Sequence, residues 1–146
     1  MLNAKARAFS LAGAAILLST PLAFGVDPNV VEIGMSNGPD GSQFMMLSRG
    51  SVPSGPVVFR VANRSPNTVH EFLIVRTDLD PNAFPMKQDD PNVDETKLKG
   101  IKELGDLKPG ESGEMRMTLQ PGRYVMFCNQ PGHFHAGMFA ILAVQP

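Results

Sequence analysis

An all-β sandwich is the fold this sequence predicts, and two observations predict it. Apolar and polar residues alternate with period two in several short runs, which is the signature of half-buried strands. Turn pairs at Pro109-Gly110, Pro121-Gly122 and Pro131-Gly132 divide those runs at intervals of 12 and 10 residues, the spacing of a sandwich or barrel of short strands.

Val57, Phe59 and Val61 alternate with Val58, Arg60 and Ala62. His70, Phe72 and Ile74 share one face of the run 69–76, so His70 is expected to point inward. Met115, Met117 and Leu119 alternate with Glu114, Arg116 and Thr118. Tyr124, Met126 and Cys128 share a face of the next run, with Cys128 at its end. The run 138–144 is apolar on both faces, as a central buried strand would be. Residues 77–108 break the pattern with Pro81, Pro85, Pro91 and many charges. They are expected to form a long surface connection, with Val93, Leu98, Ile101 and Leu104 able to line a turn or two of helix interrupted by Gly100. The whole is expected to be a Greek-key β-sandwich of about seven or eight strands.

Residues 1–25 stand apart. Lys5 and Arg7 precede an apolar run from Ala8 to Leu18, and Ala23-Phe24-Gly25 puts small residues where an export peptidase reads them. That order is the layout of a secretory signal peptide. The apolar run has 11 residues, whereas a bilayer span needs about 20, which disfavours the competing reading of a membrane anchor. The expected domains are therefore a leader over 1–25 and a single exported, periplasmic domain over 26–146.

Removing Lys5 and Arg7 from the 13 basic residues leaves 11 against 14 acidic ones, a formal net charge of −3. Such a surface does not suit nucleic acid, whose binding rests on neutralising phosphates, nor an anionic membrane. No second apolar run is long enough to span a bilayer, so a soluble monomer is expected. Cys128 is the sole cysteine, which excludes an internal disulfide. A lone thiol in an oxidising compartment is a liability unless something occupies it, and a metal ion would.

The segment Cys128-Asn129-Gln130-Pro131-Gly132-His133-Phe134-His135-Ala136-Gly137-Met138 places a thiol, an imidazole and a thioether five residues apart. Pro131-Gly132 turns the chain after one strand, and Gly137 lets it turn again before the next. A strand–loop–strand unit of this kind can aim three side chains at one point. A second imidazole must come from His70 or His135, the other two histidines. Two nitrogens, one thiolate and a weak thioether are the donors of a blue-copper electron-transfer site. Copper(I) favours soft sulfur and low coordination, copper(II) favours nitrogen, and a rigid compromise lets one ion change charge with little movement. Zinc also takes Cys and His, but a thioether serves it poorly.

This segment resembles the copper-binding loop of the cupredoxins. The Cys-x4-His-x4-Met spacing is of the rusticyanin and sulfocyanin kind, with a longer Cys–His gap than in plastocyanin. The likeness extends from Leu107-Lys108-Pro109-Gly110 through Tyr124 to Val144, and to His70 followed by Glu71-Phe72. It implies a mononuclear type 1 copper site with His70, Cys128, His133 and Met138 as ligands. The implied function is single-electron transfer with transient redox donors and acceptors. It also implies that Pro131, Phe134 and Ala136 surround the outer edge of His133 and dock those partners. His135 then reads as a surface residue. Many cupredoxins carry Asn or Ser directly after the first histidine, where this chain has Glu71; the source of an outer hydrogen bond to the sulfur is thus left open.

The rival to a carrier is a periplasmic copper chaperone or storage protein, for which Met45, Met46, Met115 and Met117 could supply a second soft site. The plainer reading of these Met residues is core filling. An enzyme reading is disfavoured: a multicopper oxidase needs more than three histidines, and a dinuclear electron-transfer centre needs two cysteines.

Overall fold

Alternation decides which face of each strand is buried, and in the computed structural model, which describes residues 29–146, it builds two sheets packed face to face. The described residues form nine strands: β1 (Asn29–Asn37), β2 (Gln43–Leu47), β3 (Ser51–Pro53), β4 (Gly55–Asn63), β5 (His70–Arg76), β6 (Lys102–Leu107), β7 (Ser112–Leu119), β8 (Gly122–Phe127) and β9 (Phe139–Gln145). One sheet has the order β2-β1-β4-β7 and the other β3-β9-β8-β5-β6. Pairing is antiparallel except for β1 with β4 and β3 with β9. The all-β sandwich is as expected, with a strand or two more than the turn spacing suggested. The proposed leader, residues 1–25, lies outside the described residues.

The main core fills the space between the sheets. Ile33, Val57, Phe59 and Val61 of the first sheet meet Phe72, Ile74, Tyr124, Met126 and Leu142 of the second. Each such side chain contributes about 1.5–3 kcal/mol by leaving water. Tyr124 keeps its polar end satisfied: its hydroxyl donates to the Gln120 carbonyl and accepts from the Gln120 amide.

A second core lies on the outer face of the five-stranded sheet. Leu73 and Val75 of β5 and Val125 and Phe127 of β8 point away from the sandwich, so something must cover them. Phe84, Val93 and Leu98 do so. The stretch expected to be a surface connection is therefore packed. It holds two short 3₁₀ turns (Pro81–Ala83 and Glu95–Lys97) and ends in an unexpected strand, β6, rather than a helix. Leu104 is the extra residue of a bulge opposite Phe72 and Leu73, with Gly105 at φ +87°, and it packs against the main core instead of joining Val93. The final strand also departs from expectation. β9 has only the three-residue β3 beyond it, and Ile141 is 43% exposed, so its outer face is largely open rather than buried.

Met45, Met46, Met115 and Met117 do not gather at one point. Met45 is 7% exposed in the core, while its neighbour Met46 points to the opposite face at 58%. Met115 and Met117 sit on β7, at the far edge of the sheet from β2. Three interstrand steps of about 4.8 Å separate them from Met45. Core filling accounts for Met45, Met115 and Met117. Accordingly, Met45→Ala is expected to lower unfolding free energy by about 2–5 kcal/mol, and Met46→Ala to change it by no more than about 0.5 kcal/mol. Urea denaturation of the two variants measures both.

Candidate metal centre

The ladder between β8 and β9 ends where the site begins. Its last register pair is Phe127 with Phe139, and the Cys128 amide extends it by donating to the Met138 carbonyl at 3.1 Å. The two ends of the loop 128–138 are thus held side by side. Within the loop the His133 amide donates to the Gln130 carbonyl and the Met138 amide to the His133 carbonyl, both at 3.0 Å. These bonds require reversals at Gly132 (φ +79°) and Gly137 (φ +91°), conformations that cost a residue with a Cβ about 1 kcal/mol or more.

The third strand involved is β5. His70, its first residue, is fully buried and belongs to the face that carries Phe72 and Ile74. The ligand-type atoms of His70, Cys128 and His133 all lie within 4.8 Å of one another. His133 Nδ1 is 3.2 Å from His70 Nδ1 and 3.3 Å from Cys128 Sγ, and the Cys128 Sγ to His70 Nδ1 distance is 4.0 Å. Met138 is fully buried at the end of the same loop. His135 is exposed and outside this group.

Three residues that the sequence reading passed over shape the centre. Ser65 Oγ lies 2.7 Å from His70 Nε2. This contact lets Nε2 carry the ring proton and leaves the Nδ1 lone pair facing the sulfur. Asn63, at the end of β4, holds Ser65 there: its Oδ1 accepts from the Ser65 amide, and its Nδ2 donates to the Thr68 and Leu107 carbonyls. Asn129 is buried behind the loop, bonded to Val93 and Glu95. Asn and Ser are ordinary turn residues in a sequence, and only the sheet register brings these ones to the site.

The outer bond to sulfur, left open by Glu71, comes from the backbone. The Glu71 amide donates to Cys128 Sγ at 3.3 Å, so the identity of that side chain does not decide it. Phe134 corrects another expectation. It is buried, stacked on Phe84 at 5.4 Å and edge-on to Phe127. It anchors the loop to the second core and is not part of an outer docking face. Pro131 and Ala136 are exposed, and His133 is half-buried between them and the interior.

Burial sets the electrostatics. It pushes the Cys128 thiol up to about 11, against the downward pull of the Glu71 and Gln130 amides. It pushes His70 down to about 4, helped by the neighbouring His133, and lowers His133 as well. Glu71 is raised to about 7, first by burial and then by Glu95, Asp106 and Glu103. At neutral pH the metal-free centre is therefore a neutral thiol beside two neutral imidazoles. Any ion that binds the sulfur must displace a proton. One thiolate, two imidazoles and a buried thioether are the donor set that suits copper, and these four residues fit one copper ion.

No protein-family model and no curated protein matches the chain. Solved structures do match. An auracyanin from the photosynthetic bacterium Roseiflexus castenholzii, reduced with dithionite, is 24% identical at a TM-score of 0.56, over 84% of this chain and 100% of that one. Auracyanin A, a "blue" copper protein from Chloroflexus aurantiacus, is 20% identical at 0.55, over 82% and 100%. Rusticyanin from Thiobacillus ferrooxidans is 16% identical at 0.57, over 82% and 79%. The fold is thus the cupredoxin fold.

The burial shifts give a pH signature for the metal-free protein. Between about 4 and 6.5 the unfolded chain protonates His70 and the folded chain does not, so this residue makes stability rise with pH. Between 4.5 and about 7 the folded chain keeps the Glu71 proton that the unfolded chain loses, so Glu71 makes stability fall with pH. The two oppose each other where the windows overlap. Glu71→Gln is expected to remove the second contribution and leave a stability that rises from pH 4.5 to 6.5. Denaturant midpoints across that range for both proteins measure it, and a proton NMR titration follows His70 directly.

Proposed function

We propose that this chain is an exported carrier of single electrons. It would hold one copper ion between His70, Cys128, His133 and Met138. The carrying observation is the buried meeting of one sulfur and two imidazole nitrogens within 4.8 Å. It lies at the end of a sandwich whose solved neighbours include a "blue" copper protein.

Bound copper supplies a one-electron change of charge. The protein's part is to hold the donors so that this change moves little. Cys128 and Met138 are tied together by a backbone bond, and His70 is fixed by Ser65. The buried residues around Cys128, His70 and Met138 exclude water. His133 is the member of the set nearest solvent, and the uncharged rim of Pro131 and Ala136 beside it is the surface we assign to transient redox partners. Export rests on the order of Lys5, Arg7, the apolar run and Ala23-Phe24-Gly25. Among the described residues no helix is long and apolar enough to cross a membrane.

Titration of the protein from residue 26 onward with copper(II) tests the reading. An intense blue band is expected, saturating at one ion per chain, bleached by reductant and restored by oxidant. A colourless protein that takes only copper(I), and passes it readily to an acceptor, would replace the carrier by a chaperone. Cys128→Ser is expected to abolish the band; persistent colour would remove the thiolate from the centre. Met138→Gln is expected to keep a copper site at a lower potential, and an unchanged potential would show that Met138 does not act on the ion.

A further inference from the structure

The residue after Cys128 has a role that the copper reading alone does not require. Asn129 is 4% exposed, yet every polar group on its side chain is engaged. Its Oδ1 accepts from the Val93 amide at 2.8 Å, and its Nδ2 donates to the Val93 carbonyl at 3.2 Å and to Glu95 Oε1 at 2.6 Å. The side-chain amide thus pairs with both backbone groups of one residue, as a neighbouring strand would. Val93 is itself well fixed. It bridges to Met86, its side chain is fully buried in the second core, and the adjoining Asp94 amide donates to the Pro85 carbonyl.

Position 129 is sandwiched between the sulfur-bearing residue and the turn that carries His133. A shift of Asn129 therefore moves Cys128 directly. On the far side of His133, Phe134 is stacked on Phe84 of the same connection. The loop is thus attached to residues 84–95 on both sides of His133. Only Asn supplies the Asn129 pattern: Asp has the acceptor but neither donor, and would face Glu95; Gln is one methylene too long.

Resting on the copper reading above, we infer that Asn129 is a positioning residue. It clamps the loop 128–138 to the segment 85–95 and so fixes Cys128 relative to His133 and His70. The packed connection over the outer sheet face then serves as a brace for the centre as well as a cover for apolar side chains. A buried amide with its partners satisfied is a rigid link, while a half-satisfied one is costly.

Asn129→Ala and Asn129→Asp test this, with Leu98→Ala as a control that loosens the same core at a residue that does not bond Asn129. In the copper-loaded proteins, both Asn129 variants are expected to bind copper about 10–100-fold more weakly and to alter the shape of the thiolate absorption band. Leu98→Ala is expected to do neither. In the metal-free proteins, the rate at which Cys128 reacts with a small aromatic disulfide is expected to rise about tenfold in Asn129→Ala and to stay near the wild-type rate in Leu98→Ala. Unchanged affinity, band and thiol rate in the Asn129 variants would overturn the inference. So would equal changes in Leu98→Ala, which would trace the effect to packing. If the wild-type protein takes up no copper, the proposed function fails, and the thiol rates still decide whether Asn129 holds the loop.

Discussion

Desolvation of three electron-pair donors is the constraint on which the rest of this structure turns. A sulfur and two imidazole nitrogens are brought together away from water, and each loses hydration that the others cannot replace. Burial is the largest cause that pushes the Cys128 thiol up and the His70 ring down. A chain left to itself would relieve this by turning the side chains outward. It does not, because each is held from behind: His70 by Ser65, Cys128 by the Glu71 amide, and the loop as a whole by the Cys128–Met138 backbone bond. An ion that accepts those electron pairs removes the conflict, so the same features that cost stability without metal favour its binding.

Holding donors against their preference needs a frame that does not yield, and the sandwich supplies it from both sheets. Asn63 ends β4 in the first sheet, bonds to the Leu107 carbonyl at the end of β6 in the second, and receives the Ser65 amide. One side chain thereby joins the two layers at the end where the centre lies. The outer face of the second sheet contributes as well. Val125 and Phe127 lead directly into Cys128, and the aromatic group of Phe84, Phe127, Phe134 and Phe139 packs under the loop. Close-packed rings transmit rather than absorb displacement, which makes this group a stiff support.

Much of this was legible in the sequence, and the parts that were not share a cause. The faces of β4, β5, β7 and β8 follow from period-two alternation, since side-chain direction in a strand is fixed by residue parity. Cys128, His133 and Met138 stand out as candidate donors by chemical type and spacing, which are local, whereas His70 against His135 was decided by strand parity and the cupredoxin resemblance. β6 was hidden because Lys102–Leu107 has a bulge at Leu104-Gly105, and one extra residue inverts the parity on which a strand is recognised. Phe134 was misplaced because an apolar residue in a loop looks the same whether it faces a partner or a second core. Ser65, Asn63 and Asn129 were missed for a related reason. Apart from the Asn63–Ser65 bond, their partners lie five to 44 residues away, and the partner set depends on sheet register.

The position of Glu71 shows how far backbone geometry can replace side-chain identity. A carboxylate next to the first histidine looks unsuited to a site built around a thiolate, because like charges beside sulfur oppose its ionisation. The structure separates the two roles of that position. The amide points to the sulfur and gives the hydrogen bond that a thiolate needs, while the side chain sits among Glu95, Asp106 and Glu103 and is held toward its neutral form. Its charge still adds to the upward push on the Cys128 thiol, but burial is the larger cause and the Glu71 amide pulls the other way. Strand β5 fixes the amide through its pairing with β6 and β8, and that pairing would persist with other side chains at position 71. The outer bond to sulfur is therefore a property of the fold, which explains how a centre of this kind can accept an acidic residue where an amide or hydroxyl side chain would be expected.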